Sequence, residues 1–188
     1  RVGQGRGEDY LAGGRLVSYK RLDIVVEAFN RTGMPLKIFG DGPEYHRLRS
    51  RAKKNIEFLG FVSDTRRTQL YERCIAYINP QEEDFGITVI EAAAAGRPVI
   101  AFAAGGALET VIENSTGAFF YDQDAPALID ALLRFRPEHY NSSVIRNHAL
   151  QYDVHRFKKE IREHIETKWS QWKEVQHMKR LREAKIAL

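Results

Sequence analysis

The sequence predicts an α/β fold, namely a Rossmann-like, doubly wound parallel sheet. Short apolar runs alternate with amphipathic segments along the chain, an order that is typical of βαβ units. Several of these runs are apolar at every position, as in strands that helices cover on both faces. Turn residues close the runs, among them Gly40-Asp41-Gly42-Pro43 and Asn79-Pro80.

Six apolar runs are the predicted strands, because each is short and is bounded by polar or turn residues. They cover residues 10–16, 36–39, 56–59, 75–78, 98–102 and 118–121. Ligands of parallel sheets bind beyond the carboxyl ends of the strands. The residues that directly follow each run are therefore the candidates for a functional site.

A helix is predicted after each strand. The first has Leu22, Val25, Val26 and Phe29 at helical spacing. The third begins at Ser63 or Asp64, since both residue types cap helix N-termini. The predicted helices cover residues 21–29, 44–51, 64–73, 88–95, 109–113 and 125–135.

The distribution of charge separates a near-neutral body from a basic tail. Between residues 156 and 185 there are ten Lys and Arg against five Asp and Glu, and the rest of the chain holds 19 against 20. We therefore expect a Rossmann-like domain over residues 1–150 and a basic, amphipathic helical tail over residues 151–188. A near-neutral body argues against a protein that binds nucleic acid over its whole surface.

The tail carries Ile161, Ile165, Trp169 and Trp172 at helical spacing, with basic residues around them. The helix either packs back on the protein, which we favour, or lies on a membrane surface, since basic faces with tryptophan suit anionic lipids. No apolar run approaches the ~20 residues that a membrane-spanning helix needs. We expect a cytoplasmic protein, with peripheral membrane contact as an alternative.

The strongest functional signal is an acidic loop that leads into the fourth predicted helix. It reads Glu83-Asp84-Phe85-Gly86-Ile87, and Glu91 follows about one turn into the helix. Free N–H groups at a helix start favour an anion, and Gly86 lets a phosphate or sugar approach the backbone. Ionised carboxylates accept hydrogen bonds from the hydroxyl groups of sugars and riboses. From these residues alone, a ligand site and a plain acidic helix start are equally well supported.

Further motifs accompany the acidic loop in a fixed order along the chain. They are Gly14-Arg15-Leu16-Val17 with Lys20-Arg21-Leu22-Asp23, Gly40-Asp41-Gly42-Pro43-Glu44, Phe58-Leu59-Gly60-Phe61-Val62, Leu70-Tyr71, and Gly105-Gly106-Ala107-Leu108-Glu109. The series closely resembles the C-terminal domain of family 4 retaining glycosyltransferases (glycosyl transferases group 1), and most of all their mannosyltransferase-like subgroup. Those enzymes have the GT-B fold, in which two Rossmann-like domains face each other across a cleft. The resemblance implies that this chain is the donor-binding half and that the N-terminal acceptor domain is missing from it.

The resemblance also implies roles for individual residues. Arg15 and Lys20 match the pair that holds the donor diphosphate, and Glu83 matches the glutamate that contacts the donor sugar, so these three are the expected catalytic residues. Arg21 stands where the family usually has glycine, and we expect its side chain to face solvent. The expected donor-binding residues are Gly14, Phe61, Val62, Asp84, Phe85, Gly86, Ile87 and Glu91.

The implied reaction transfers a hexosyl group, with retention, from a nucleoside-diphosphate sugar to a saccharide or lipid-linked acceptor. The donor is of the GDP-mannose or UDP-glucose type, and no cofactor is expected. No metal site is expected either, because the six histidines lack metal-ligand spacing. A non-catalytic nucleotide-sugar-binding or regulatory module is the alternative. The joint presence of Arg15, Lys20, Glu83 and Glu91 argues against it, because a decayed site has no need for all four.

Overall fold

The computed structural model describes Gly3 and residues 7–186, with side chains described as far as residue 176. It divides the chain into two compact units, Arg1–Leu150 and Gln151–Leu188. The strands are β1 (Asp9–Gly13), β2 (Leu36–Phe39), β3 (Ile56–Gly60), β4 (Cys74–Asn79), β5 (Val99–Phe102) and β6 (Gly117–Phe120). The helices are α1 (Leu22–Thr32), α2 (Tyr45–Arg51), α3 (Asp64–Arg73), α4 (Ile87–Ala94), α5 (Ala107–Thr110), α6 (Ala125–Arg134), α7 (Ser142–Ala149) and α8 (Val154–Ile186).

The strands form one parallel sheet in the order β3-β2-β1-β4-β5-β6. The chain thus begins at the centre, runs to one edge, and returns to the centre at β4 to build the other half. This reversal leaves a crevice between the carboxyl ends of β1 and β4, which is where doubly wound sheets bind ligands. The fold class predicted from the sequence is confirmed.

Helices cover both faces of the sheet, which explains the continuously apolar strands. Leu11 and Ala12 are adjacent in β1 and both are buried, Leu11 among residues of α3 and α4, and Ala12 among residues of α1 and α6. A strand with both faces covered needs apolar side chains at every position.

Besides shifts of one to three residues at the ends of other elements, three features differ from the sequence predictions. The first strand ends at Gly13, and Leu16 lies in the following loop, where its N–H donates to the carbonyl of Asp41 over 2.9 Å. The helix predicted at residues 109–113 lies earlier, at Ala107–Thr110. Helix α7 was not predicted. It begins where the side chain of Asn141 accepts hydrogen bonds from two backbone N–H groups of the first turn, which is N-capping.

The second unit consists mainly of α8, a helix of 33 residues that is about 50 Å long at 1.5 Å per residue. The side chain of Asp153 accepts a hydrogen bond from the N–H of His155 over 2.7 Å at its start. Within the described residues, no helix of the chain combines the length and the apolar character that crossing a membrane would require.

Candidate functional site

The loop after β1 is fixed by the loop after β2. The N–H of Gly14 donates to the carbonyl of Phe39 over 3.1 Å, and the N–H of Glu44 donates to the carbonyl of Leu16 over 3.0 Å. A Cβ on Gly40 would lie 1.8 Å from the carbonyl oxygen of Gly14, so only glycine permits this approach. The loop therefore has a defined shape, and it presents the exposed side chain of Arg15 at the carboxyl edge of the sheet.

Lys20 lies at the end of a short 3-10 turn, Ser18–Lys20, and forms an ion pair with Glu83. The ammonium group comes from the loop after β1 and the carboxylate from the loop after β4. The pair therefore joins the two sides of the central crevice. Burial of the lysine lowers the pKa of its ammonium group below the usual value, because a low-dielectric environment disfavours the charged form.

Arg21 has a left-handed backbone conformation, with φ at 51°. Glycine adopts this conformation without strain, which explains why the family usually has glycine there. The side chain is half-buried, and its guanidinium donates to Gln123 over 2.9 Å, whose amide in turn donates to the carbonyl of Pro80 over 3.0 Å. Our expectation that Arg21 faces solvent is therefore wrong. The side chain ties the loops after β4 and β6 to the start of α1.

The acidic loop after β4 rests on two glycines of the loop after β5. The N–H of Gly106 donates to the carbonyl of Glu83 over 2.7 Å. A Cβ on Gly105 would lie 2.4 Å from that same carbonyl oxygen, and one on Gly106 would lie 2.4 Å from the carbonyl oxygen of Asp84. The glycine pair thus allows the acidic loop to lie directly on its neighbour, which fixes the height of Glu83 above the sheet.

Gly86 begins α4 in a left-handed conformation, with φ at 81°, and is buried. Phe85 and Ile87 on either side of it are exposed. The first N–H groups of a helix have no partner within the helix, and the helix dipole adds positive potential there. The start of α4 is thus suited to an anion that approaches over Gly86.

Glu91 on α4 is held from α3 by two residues. Its Oε1 accepts a hydrogen bond from the guanidinium of Arg67 over 3.1 Å, and its Oε2 accepts one from the hydroxyl of Tyr71 over 3.2 Å. Arg67 also forms an ion pair with Asp64 at 3.1 Å. Each carboxylate oxygen keeps a second lone pair, so the oriented group can still accept hydrogen bonds from a vicinal pair of hydroxyls.

A cavity of about 230 Å³ lies beside Glu91, between α3, α4 and α7. It is lined by Arg67, Thr68, Tyr71, Glu91, Ala94, Ala95 and Arg146. Arg67 and Tyr71 are site residues to which the sequence analysis gave no role. Tyr71 lies in the family-like pair Leu70-Tyr71, whereas no motif indicated Arg67.

Phe61 and Val62 follow β3 and differ in their surroundings. Phe61 is 86% exposed, and Val62 is half-buried against the core beneath α3 and α4. An aromatic ring with this exposure offers a stacking surface for a planar group. Packing explains the apolar character of Val62 but not that of Phe61.

The structure brings most of the expected site residues to one edge of the sheet. Gly14, Arg15 and Lys20 follow β1, and the residues from Glu83 to Ile87 follow β4, so these two groups adjoin the crevice. Phe61 and Val62 lie further along the same edge, after β3. Glu91 lies one turn into α4, facing α3.

Comparisons with known proteins point to one family. The model of the family described as glycosyl transferases group 1 matches residues 5–152 of the chain. The chain is 30% identical over 122 residues to the O-antigen chain mannosyltransferase C of Escherichia coli, and this match covers 61% of this chain and 33% of that protein. It is 32% identical over 107 residues to the alpha-1,3/1,6-mannosyltransferase ALG2 of Rhizomucor pusillus, and this match covers 56% of this chain and 23% of that protein.

Among solved structures, Anabaena Alr3699/HepE in complex with UDP and glucose has a similar fold. The TM-score is 0.74 at 23% identity, and the match covers 86% of this chain and 48% of that chain. The chain spans about a third or less of the length of the curated relatives it matches.

Proposed function

Because this chain belongs to the glycosyl transferases group 1 family and has the fold of one Rossmann-like half of a GT-B enzyme, we propose that it binds a nucleoside-diphosphate sugar. It is the donor-binding half of an enzyme that transfers a hexosyl group, with retention, to a saccharide or lipid-linked acceptor. An N-terminal domain supplies the acceptor face. The reaction takes place in the cytoplasm and serves polysaccharide assembly.

The observation that carries this proposal is the ion pair of Lys20 and Glu83 across the crevice between β1 and β4. A nearly buried cation and a carboxylate at this point match a donor that carries a diphosphate next to a sugar. The diphosphate takes the ammonium group, and the carboxylate accepts hydrogen bonds from sugar hydroxyls. Paired with each other, the two groups neutralise their charges.

Lys20 and Arg15 act on the leaving group. Negative charge accumulates on the diphosphate as the glycosidic bond breaks, and fixed cations stabilise that charge at the transition state. The exposed, planar guanidinium group of Arg15 and the ammonium group of Lys20 supply these cations without a metal ion. The N–H groups at the start of α4, next to Gly86, add to the positive potential.

The remaining donor contacts follow the edge of the sheet towards β3. Glu91, oriented by Arg67 and Tyr71, binds the two ribose hydroxyls. Phe61 stacks on the base, with Val62 beneath it. The backbone over residues 84–87 lies against the sugar and the phosphates, where the small Gly86 allows close approach.

A thermal-shift panel of GDP, UDP and ADP with their mannose and glucose derivatives tests the proposal. Ligands that bind the native state raise the melting temperature by mass action. We expect a shift with either the GDP-mannose or the UDP-glucose type of donor, and we expect Lys20→Ala to abolish it. If no nucleoside diphosphate shifts the wild-type chain, the proposed function is wrong.

A further inference from the structure

Helix α8 carries an apolar stripe along one face. At about 100° per residue, seven apolar side chains fall within about 60° of one direction on the helix. They are Val154, Phe157, Ile161, Ile165, Trp169, Trp172 and Val175, and each is between 40% and 61% exposed. The rings of Trp169 and Trp172 stack on one another within the stripe, with centroids 4.9 Å apart. Scattered exposed apolar residues are ordinary on a protein surface, but seven of them along one face of a helix indicate a binding surface.

The charges of the helix are segregated around this stripe. By the same helical geometry, Lys158 and Lys168 lie within the stripe, about 40° to either side of its centre, and Arg162 borders it at about 80°. The acidic side chains between residues 154 and 176 all project from the opposite half, at least about 120° from the centre of the stripe. These acids are Glu160, Glu163, Glu166 and Glu174.

The acidic half of the helix is partly neutralised by the helix itself. Arg156 forms an ion pair with Glu160 at 2.6 Å, and Lys159 forms one with Glu163 at 3.9 Å. Positive charge therefore remains concentrated within and beside the stripe. This arrangement complements a surface that is negatively charged at one depth and apolar just below it.

We propose that α8 lies along the surface of an anionic lipid bilayer, a function separate from donor binding. The stripe enters the boundary between headgroups and acyl chains, and the long basic side chains within and beside it extend to anionic headgroups. Tryptophan rings are well suited to that boundary, because they combine an apolar body with a polar N–H. A protein partner would give no reason for lysines on both sides of the stripe's centre together with acids on the far side.

The chain supplies its own spectroscopic probe for this proposal. Its two tryptophans are both in α8, so the intrinsic tryptophan emission of the whole chain reports on this helix alone. Emission is recorded while the full chain is titrated with vesicles of phosphatidylcholine, with and without phosphatidylglycerol. We expect a blue shift and quenching by brominated acyl chains with the anionic vesicles only, and reversal of the shift at high salt.

Two variants separate the parts of the surface. Lys158→Gln combined with Lys168→Gln should weaken binding to anionic vesicles by about 25-fold, since each basic side chain near such a surface contributes about five-fold. Trp169→Ala combined with Trp172→Ala should reduce co-sedimentation with vesicles by more than about ten-fold, because binding scales with the apolar area buried. Leu133→Ala on α6 is the matched control. It removes an exposed apolar side chain outside the helix and should leave binding unchanged.

Three results would overturn the proposal. The first is tryptophan emission that anionic vesicles leave unchanged. The second is a blue shift that appears without vesicles as the protein concentration rises, which would show that a second copy covers the stripe. The third is loss of binding in Leu133→Ala to the same degree as in the double tryptophan variant. None of these results depends on whether a nucleoside diphosphate binds.

Discussion

Replacing Glu83 by glutamine should tighten the binding of a free nucleoside diphosphate, although it removes a residue of the proposed donor site. Glu83 holds the ammonium group that the diphosphate needs, so binding must first break this ion pair. Glutamine is nearly the same size but has no charge. In this variant, Lys20 can bind the diphosphate without first breaking an ion pair.

The size of the effect follows from the burial of the pair. The side chains of Lys20 and Glu83 are 15% and 22% exposed. Fully exposed ion pairs contribute about 0.2–1 kcal/mol, and hydrogen bonds to charged groups contribute about 1.5–3 kcal/mol. A mostly buried pair at the edge of the sheet falls between the two, at about 1.4 kcal/mol, which is about ten-fold in affinity.

Isothermal titration calorimetry with two ligands measures this gain in affinity. The free nucleoside diphosphate should bind Glu83→Gln about ten-fold more tightly than the wild type. The corresponding nucleotide sugar should gain less, because glutamine is a poorer acceptor for the sugar hydroxyls than a carboxylate.

Glu82→Gln is the control. It removes an exposed negative charge from the same loop without releasing Lys20. If Glu83→Gln binds the diphosphate no more tightly than Glu82→Gln, the ion pair does not compete with the ligand and the reasoning fails.

Three further predictions concern the parts that support this site. Affinity for the diphosphate should fall as the pH rises through the lowered pKa of Lys20, because this lysine must be protonated to bind. In a calorimetric pH series, Lys20→Arg should remove that fall, since arginine stays protonated. Arg67→Met should weaken the binding of a nucleoside diphosphate about five-fold and leave that of inorganic pyrophosphate unchanged, since only the former has a ribose for Glu91. An equal loss for both ligands would contradict the role of Arg67. Gly105→Ala should lower the free energy of unfolding in urea by about 1–3 kcal/mol more than Gly33→Ala does. Both positions have positive φ, but only at Gly105 would the added Cβ have a backbone oxygen within 2.4 Å. Equal losses would mean that the contact between the two loops is unimportant.

The fold class was predictable because its signals are local. Apolar runs such as the one at Val99–Phe102 have no polar position, which is enough to indicate a strand covered on both faces. The family resemblance was equally accessible, and the match of the family model confirms it. The end of β1 was misplaced because Leu16 is buried in a loop, and burial of an apolar side chain does not distinguish a loop from a strand.

The site was less predictable, because its contacts join residues that are distant in sequence. Nothing in the sequence near Glu91 indicates that Arg67 and Tyr71 hold its two oxygens. Arg21 was interpreted from its charge, whereas its backbone conformation and its bond to Gln123 determine what it does. The roles of the individual donor-site residues remain predictions that follow from position and charge.

The proposed function depends on where the diphosphate binds. The most direct measurement is a crystal structure of this chain with the nucleoside diphosphate that gives the largest thermal shift. We expect the diphosphate in the crevice between β1 and β4, with the Lys20 ammonium group within about 3 Å of a phosphate oxygen, released from Glu83, and the N–H groups next to Gly86 directed at the same phosphates. A diphosphate bound elsewhere on the chain, with the pair of Lys20 and Glu83 still intact, would contradict the account.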